Sequence, residues 1–286
     1  MHRTRAVHKR SESVTDDLNR TYWRRPKAGV IYDLEFRNLV GRFADRSETE
    51  PLLDLVGGLK GKKILEVGCG TGRFLKLFDS SNELYGLDVS EEMLQIARQR
   101  NPGASLHVGS AELLPFDSGA FDVVYCFRVL QHIVNQEKVV HEIARVTKPG
   151  GMVILVTYNS WSPLNLYKHL RMSSAGRILN IPFALILGRR SFFGPWGFLY
   201  DNYCSMPELQ RWMDHSAIAS RLSWGVTCWM PWFFNSFFLG KVLEMTIPTF
   251  FRWFLSSCLW CDRHIARYAP VKYFMDLILL MGEKRQ

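Results

Sequence analysis

Two carboxylates, one imidazole and three glycines in the first half of the chain have the types and spacing of a ligand site. The run Glu66-x-Gly68-x-Gly70-x-Gly72 sits inside Ile64 to Phe74. Ile64, Leu65 and Val67 read as a short buried strand. Gly68, Gly70 and Gly72 strip the β-carbons from one wall of the turn, so a ligand can approach the backbone. A helix beginning near Gly72 would bring unpaired N–H groups to the carboxyl edge of a sheet. Asp88 stands 20 residues after Gly68 and ends a second strand. A carboxylate there accepts two hydrogen bonds from ribose hydroxyls, or else caps the helix that follows.

Two ligands compete for this turn. A dinucleotide fingerprint is G-x-G-x-x-G, with the helix N-terminus facing a pyrophosphate. Here the third glycine comes one place early, and an acid stands two residues before the first. That acid suits a ligand with a positive amino group, such as the amino acid part of S-adenosylmethionine. His132 follows the fourth strand in Arg128-Val129-Leu130-Gln131-His132. A neutral imidazole there takes a proton from a hydroxyl acceptor, or fixes its own loop.

The elements that position these groups alternate. Strands are expected at Lys62–Val67, Glu83–Val89, Ser105–Val108, Phe121–Phe127 and Met152–Thr157. A helix starts at Arg73–Phe78. Another is capped by Ser90, carries Glu91 and Glu92 in its first turn, and stops at Asn101. A third runs Asn135–Val146, and Lys148-Pro149-Gly150-Gly151 breaks it. Phe121–Phe127 is continuously apolar, as for a strand buried on both faces. The alternation implies a mostly parallel α/β sheet with helices on both faces. Ahead of it, residues 1–20 are polar, basic and expected to be flexible. Residues 21–59 form a helical cap with two helices, the second starting at Pro51 and ending at Gly57-Gly58. Residues 60–157 are the core and 158–286 a substrate and lid region.

The runs "ILEVGCGTGRFL", "LYGLDVSEEMLQIAR", "GSAELLPFDSGAFDVVYC" and "TKPGG" followed by "MVILVT" resemble the class I S-adenosylmethionine-dependent methyltransferases. The type 11 group, which includes quinone and other lipid methylators, is the most similar. The likeness covers residues 60–157 and is weaker in "YCSMPELQRWMDHSAI" and "MDLILLMGEK". It implies a Rossmann-like, doubly wound sheet of seven strands with an antiparallel last strand. It also implies S-adenosylmethionine as cofactor and a methyl acceptor that is small or lipid-like. Glu66, Gly68 and Gly70 would line the methionine end, with Cys69 and Gly72 in the same turn. Asp88 would hold the ribose and Val89 lie on the adenine. Ala111 and Glu112 would flank its other side, and Phe127 close the methionine side. Ser110 stands where the family often has Asp, and its hydroxyl can accept from the adenine amino group.

The second half is aromatic. Tryptophans at 161, 196, 212, 224, 229, 232, 253 and 260 and the cluster Trp232 to Phe238 are mixed with Lys241, Arg252, Arg263, Arg267 and Lys272. This texture suits an anionic membrane interface, a pocket for a long apolar substrate, or an ordinary helical cap with its own core. Nucleic acid fits poorly, because the cations are scattered. Helix Met206–His215, strand Leu222–Cys228 and a last strand Met275–Met281 at the sheet edge complete the expected elements. Gly282 to Gln286 would be a polar exit. Asn159, Tyr200 and Tyr203 are acceptor-site candidates.

The composition, 47% hydrophobic and 22% charged, is that of a globular protein, and its net charge of +9 suits phosphates, nucleic acid or anionic lipid heads, or else simple solubility. The six cysteines include Cys258-x-x-Cys261, but no second pair or histidine at ligand spacing follows. Packing in a reducing cytoplasm is the expectation, with no metal. No run of 18 residues is apolar without charges, and the basic first ten residues lack the apolar core of a secretory signal. A cytoplasmic protein is expected, either free or peripheral to a membrane. Other readings are a non-catalytic binding or interaction protein, or a different use of the cofactor such as aminopropyl transfer. The oligomeric state is open.

Overall fold

The computed structural model describes residues 21–34, 36–37, 39–163, 165, 202–226, 248–265, 268, 272, 275 and 277–286. The expectations for residues 1–20, Tyr200, Trp196, Trp229, Trp232, Lys241 and Arg267 lie outside the described residues.

Two helices precede the sheet: α1 (Ala28–Leu34) and α2 (Leu39–Val56). Pro51 lies inside α2 and does not start it. Its missing N–H removes one rung of the helix. Burial of Leu52 and Val56 beyond it holds the last turns in place. Gly57 then closes the helix by donating to the Leu53 carbonyl at 2.8 Å.

The strands are β1 (Lys63–Val67), β2 (Glu83–Asp88), β3 (Ser105–Val108), β4 (Phe121–Phe127), β5 (Thr147–Tyr158), β6 (Ile218–Val226) and β7 (Leu277–Lys284). They form one seven-stranded sheet in the order β3-β2-β1-β4-β5-β7-β6. Neighbours from β3 to β5 are parallel, and β7 is antiparallel to both β5 and β6. The last strand is therefore antiparallel, as expected, but it is inserted inside the sheet, and β6 is the edge. The strand also runs through Gly282-Glu283-Lys284, which was expected as a polar exit. Gly282 makes this possible, because a β-carbon there would press on Ile218 and Met213 at 2.6 Å.

The helices among the strands are α3 (Glu91–Arg100), α4 (Gln136–Val146), α5 (Met206–His215) and α6 (Pro248–His264). Ser90 and Asn135 cap α3 and α4, and Ser205 with Glu208 forms a reciprocal capping box on α5. Alternation along β4 sends Val124 and Cys126 to the face that packs on Val139, Val140 and Ile143 of α4. Val123, Tyr125 and Phe127 point to the opposite face, against Leu52 and Val56 of α2.

Two local expectations change. The helix from Arg73 to Phe78 is a turn followed by one 3₁₀ turn, Leu75–Leu77. Lys148 to Gly151 lies within the span of β5, where the pairing with β4 jumps from Phe121–Thr147 to Val123–Met152. Asp122 anchors this bulge by accepting from the Lys63 N–H at 2.9 Å and from Lys148 Nζ at 2.8 Å. Cys258 packs with Phe43 and Leu255 where α6 meets α2. Among the described residues, no helix is long and apolar enough to cross a membrane.

Candidate functional site

The carboxyl ends of β1, β2 and β4 converge on one cavity of about 930 Å³, including its open mouth. The turn after β1 is tied to β2 by its backbone: the N–H groups of Gly68 and Cys69 both donate to the Leu87 carbonyl, at 2.7 and 3.0 Å. Gly68, Gly70 and Gly72 all have left-handed backbone, with φ of 75°, 50° and 71°. Their reasons for lacking a side chain differ. A β-carbon on Gly68 would stand 2.1 Å from Val129 Cγ2, and one on Gly72 would stand 2.4 Å from Asn101 Nδ2. One on Gly70 would meet only Met93 Sδ, at 3.6 Å. Gly70 therefore faces the cavity. Gly68 also lines it, but admits the loop after β4. Gly72 is not in the lining and packs on α3.

Asp88 lines the cavity and is 8% exposed. Its Oδ2 accepts from the Gly70 N–H at 2.8 Å, and its Oδ1 from the Ser90 N–H at 2.9 Å. Each oxygen keeps a lone pair for a further donor. Both sequence readings of Asp88 thus describe the same side chain, which braces the start of α3 and faces the cavity. Burial raises its pKa against the pull of these N–H groups.

Glu66 is 1% exposed and also lines the cavity. Burial pushes its pKa up to about 8. A hydrogen bond from Tyr125 and the Arg73 charge oppose the rise, and Asp88 adds to it. The Tyr125 hydroxyl donates to Glu66 Oε2 at 2.8 Å. A carboxyl held in this state is a strong site for a cation, whose arrival would favour the charged form.

Of the other expected residues, Cys69, Val89, Ser110, Ala111, Glu112, Phe127 and His132 all line the same cavity. Ser110 also braces its own loop, accepting from the Glu112 N–H at 3.3 Å. His132 ends a 3₁₀ turn, and its ring centroid lies 5.3 Å from that of Trp23. Asn159 and Tyr203 do not line the cavity. Asn159 is fully buried and donates to the Met275 carbonyl at 2.9 Å, tying β5 to the approach to β7. Tyr203 packs on Tyr158 with ring centroids 5.7 Å apart. Both residues thus brace sheet connections in the chain after β5.

The cavity takes walls that motif reading missed. Trp23 and Tyr32 come from the N-terminal cap, Arg73 and Phe74 from the end of the glycine motif, where the motif assigns them no site role, and Arg128, Val129 and Ile133 from the loop after β4. The only signal in the sequence is the aromatic and basic run Tyr22-Trp23-Arg24-Arg25 and the apolar neighbours of His132. The cap is pinned over the glycine turn. Arg24 donates to the Val89 carbonyl at 3.1 Å, and the Lys27 N–H donates to Glu92. Asp33 accepts from Thr71 Oγ1 at 2.9 Å and pairs with Arg100. Beneath it, the fully buried Glu48 pairs with both Arg73 and Arg128, and Asp45 also pairs with Arg73. Arg128 holds a left-handed backbone at φ 57°. Such backbone is uncommon in a non-glycine residue.

A family model described as "Methyltransferase domain" matches residues 65–155. The chain is 38% identical over 142 residues to a ubiquinone biosynthesis O-methyltransferase of Azoarcus sp. (strain BH72), covering 44% of this chain and 61% of that protein. It is 32% identical over 172 residues to a demethylmenaquinone methyltransferase of Renibacterium salmoninarum, covering 59% of this chain and 67% of that protein. A solved SAM-dependent methyltransferase of Thermotoga maritima has the same fold, with a TM-score of 0.57 at 20% identity over 89% of this chain and 95% of that one. The chain spans 40%, 44% and 61% of the length of three of the curated relatives it matches. The matched core, the strand order and the cavity at the carboxyl ends of β1, β2 and β4 agree, and the chain belongs to the class I S-adenosylmethionine-dependent methyltransferases.

Proposed function

We propose that this chain transfers a methyl group from S-adenosylmethionine to a small or lipid-like acceptor. The observation that carries the reading is the pairing of two buried carboxylates, Glu66 and Asp88, around the β-carbon-free wall at Gly70. Their spacing in the chain and their common cavity suit a ligand with an ammonium at one end and ribose hydroxyls in the middle. Glu66 holds the ammonium. Asp88 receives the ribose hydroxyls on its two remaining lone pairs. Val89 and Ala111 enclose the adenine, with Ser110 and Glu112 at its polar edge. Gly68, Cys69 and Phe127 bound the methionine side.

The cofactor, when bound, supplies a methyl group already activated on a sulfonium. The protein must then hold an acceptor in line behind that methyl and exclude water. Trp23, Tyr32, Val129 and Ile133 form an apolar wall suited to a ring-bearing or lipid-like acceptor. The names of the quinone-methylating relatives support that class. His132 lines the same cavity and takes the proton of a hydroxyl acceptor.

The outer face of α6 supports a finer reading, that the protein works at an anionic membrane surface. Phe250, Trp253 and Trp260 recur at helical spacing and are 58%, 65% and 56% exposed, opposite the buried Leu255 and Cys258. Exposed aromatics beside Arg252, on a chain of net charge +9, suit a headgroup layer.

The test of the activity is turnover with S-adenosylmethionine and an extracted lipid and metabolite pool. S-adenosylhomocysteine and a product heavier by one methylene are expected, and both should be lost in Asp88→Ala. Binding without turnover in any extract would favour the non-catalytic reading. For the surface, flotation with phosphatidylglycerol vesicles is expected for the wild type and not for the double variant Trp253→Ala, Trp260→Ala.

A further inference from the structure

Tyr125 lies in the middle of β4, fully buried, on the face of the strand that packs toward α2. Most of its neighbours there are apolar: Phe78 at 5.3 Å between ring centroids, Leu52 and Val56. Packing alone would be served as well by phenylalanine, and a buried hydroxyl is costly without a partner. Its hydroxyl has one in Glu66 Oε2, at 2.8 Å. Glu66 is the neighbouring strand's residue in direct register with Tyr125. The bond therefore crosses between adjacent strands, with both partners fixed on rigid backbone.

We propose that Tyr125 is a positioning residue for cofactor capture: its hydroxyl orients the Glu66 carboxylate toward the cavity and favours the charged form that receives the cofactor's ammonium. This rests on the reading of Glu66 given above. The groups facing Glu66 are Tyr125 from β4, Arg73 and Cys69 from the turn, Asp88 from β2, and Cys126, also from β4. Arg73 is already engaged by Asp45 and Glu48. Asp88 opposes the charge on Glu66, and the burial-raised thiols of Cys69 and Cys126 do not donate charge to it. The Tyr125 hydroxyl thus supplies a hydrogen bond that favours the carboxylate.

The consequence is a proton linked to binding. With burial pushing the group up to about 8, the empty site is mostly protonated at pH 7. An ammonium placed against it expels that proton. Removing the hydroxyl makes the carboxylate harder to form, so the loss of affinity is largest at low pH and shrinks as pH rises.

The experiment is calorimetric titration of S-adenosylhomocysteine into the full chain between pH 6.0 and 8.5, in buffers of different ionisation enthalpy. The wild type is expected to release close to one proton per ligand near pH 7 and to bind more tightly as pH rises. Tyr125→Phe is expected to bind about tenfold or more weakly at pH 7, the fold-change of one hydrogen bond to a charged group, and to recover in part by pH 8.5. In a Glu66→Gln background, Tyr125→Phe should change the affinity little. If Tyr125→Phe weakens binding equally at every pH, or not at all, while the wild type releases its proton, the positioning role is overturned. If the wild type releases no proton and Glu66→Gln binds unchanged, the reading of Glu66 fails instead. Should Tyr125→Phe not fold, the comparison moves to Glu66→Gln against the double variant, where a fall in affinity on losing the hydroxyl overturns the proposal.

Discussion

Substituting Gly68 by alanine separates two costs that the structure predicts from different coordinates. The first is conformational. At φ 75°, an alanine is in left-handed backbone, which costs about 1–2 kcal/mol. The second is steric. The new β-carbon would stand 2.1 Å from Val129 Cγ2 and 3.1 Å from Val129 Cβ. Overpacking of this kind costs about 1–3 kcal/mol, because a shift must propagate into the loop after β4. The total loss expected for Gly68→Ala is about 2–5 kcal/mol. Val129→Ala removes the two methyl groups that make the clash. In that background only the 3.1 Å approach to Cβ remains, so Gly68→Ala should cost little beyond the backbone term of about 1–2 kcal/mol. The two substitutions should therefore couple favourably by about 1–3 kcal/mol. Urea unfolding of the wild type, both single variants and the double variant measures this. Strict additivity, or a single variant within about 0.5 kcal/mol of wild type, would refute the claim that Gly68 exists to admit Val129.

Other substitutions test the rest of the site. Gly70→Ala meets only Met93, so it should lose about 1–2 kcal/mol of stability by urea unfolding, yet weaken S-adenosylhomocysteine binding more than Gly68→Ala, Val129→Ala does. Glu48→Ala takes a fully buried carboxylate from between Arg73 and Arg128 and should destabilise by about 3–5 kcal/mol in thermal or urea unfolding; a change below about 1 kcal/mol would contradict the burial argument. Glu66 is held at about 8 in the folded protein against an ordinary value of 4.5, so between these values the native state keeps a proton that the unfolded chain has released. Its contribution to stability therefore falls as pH rises through that interval, and Glu66→Gln should lose less stability than the wild type between pH 5 and 8; equal losses would count against it.

Much of the core was legible because local signals and tertiary packing agree there. Ser105–Val108, Phe121–Phe127 and Met206–His215 fall where the sequence puts them. The last has its start written twice, in Pro207 and in the Ser205–Glu208 capping box. The segment after Gly72 went the other way. Its apolar spacing reads as helical, but Arg73 is drawn into the buried pairs with Asp45 and Glu48, and Phe74 packs on Phe127 with ring centroids 4.2 Å apart. One 3₁₀ turn is what those contacts leave. The position of β7 between β5 and β6 is a long-range fact, and no local pattern in an apolar strand distinguishes the interior of a sheet from its edge. The same holds for the cavity. Glu66, Gly70 and Asp88 lie in one contiguous motif region and can be read from spacing. Trp23, Tyr32 and Arg128 reach the cavity only through the folding of the cap and the loop after β4. Asn159 and Tyr203 show the limit of such reading: both lie beyond the fifth strand, and their backbone bond and ring packing could not be read from residue type.

The central claim is that one cavity, gripped by Asp88 and Glu66, holds S-adenosylmethionine. The most direct measurement is calorimetric binding of S-adenosylhomocysteine to the wild type and to Asp88→Ala, with unfolding curves to confirm that both are folded. The account predicts one ligand per chain for the wild type and a loss of at least about tenfold for the variant, since each charge-assisted ribose bond is worth about 1.5–3 kcal/mol. A folded Asp88→Ala protein that binds as tightly as the wild type would contradict it.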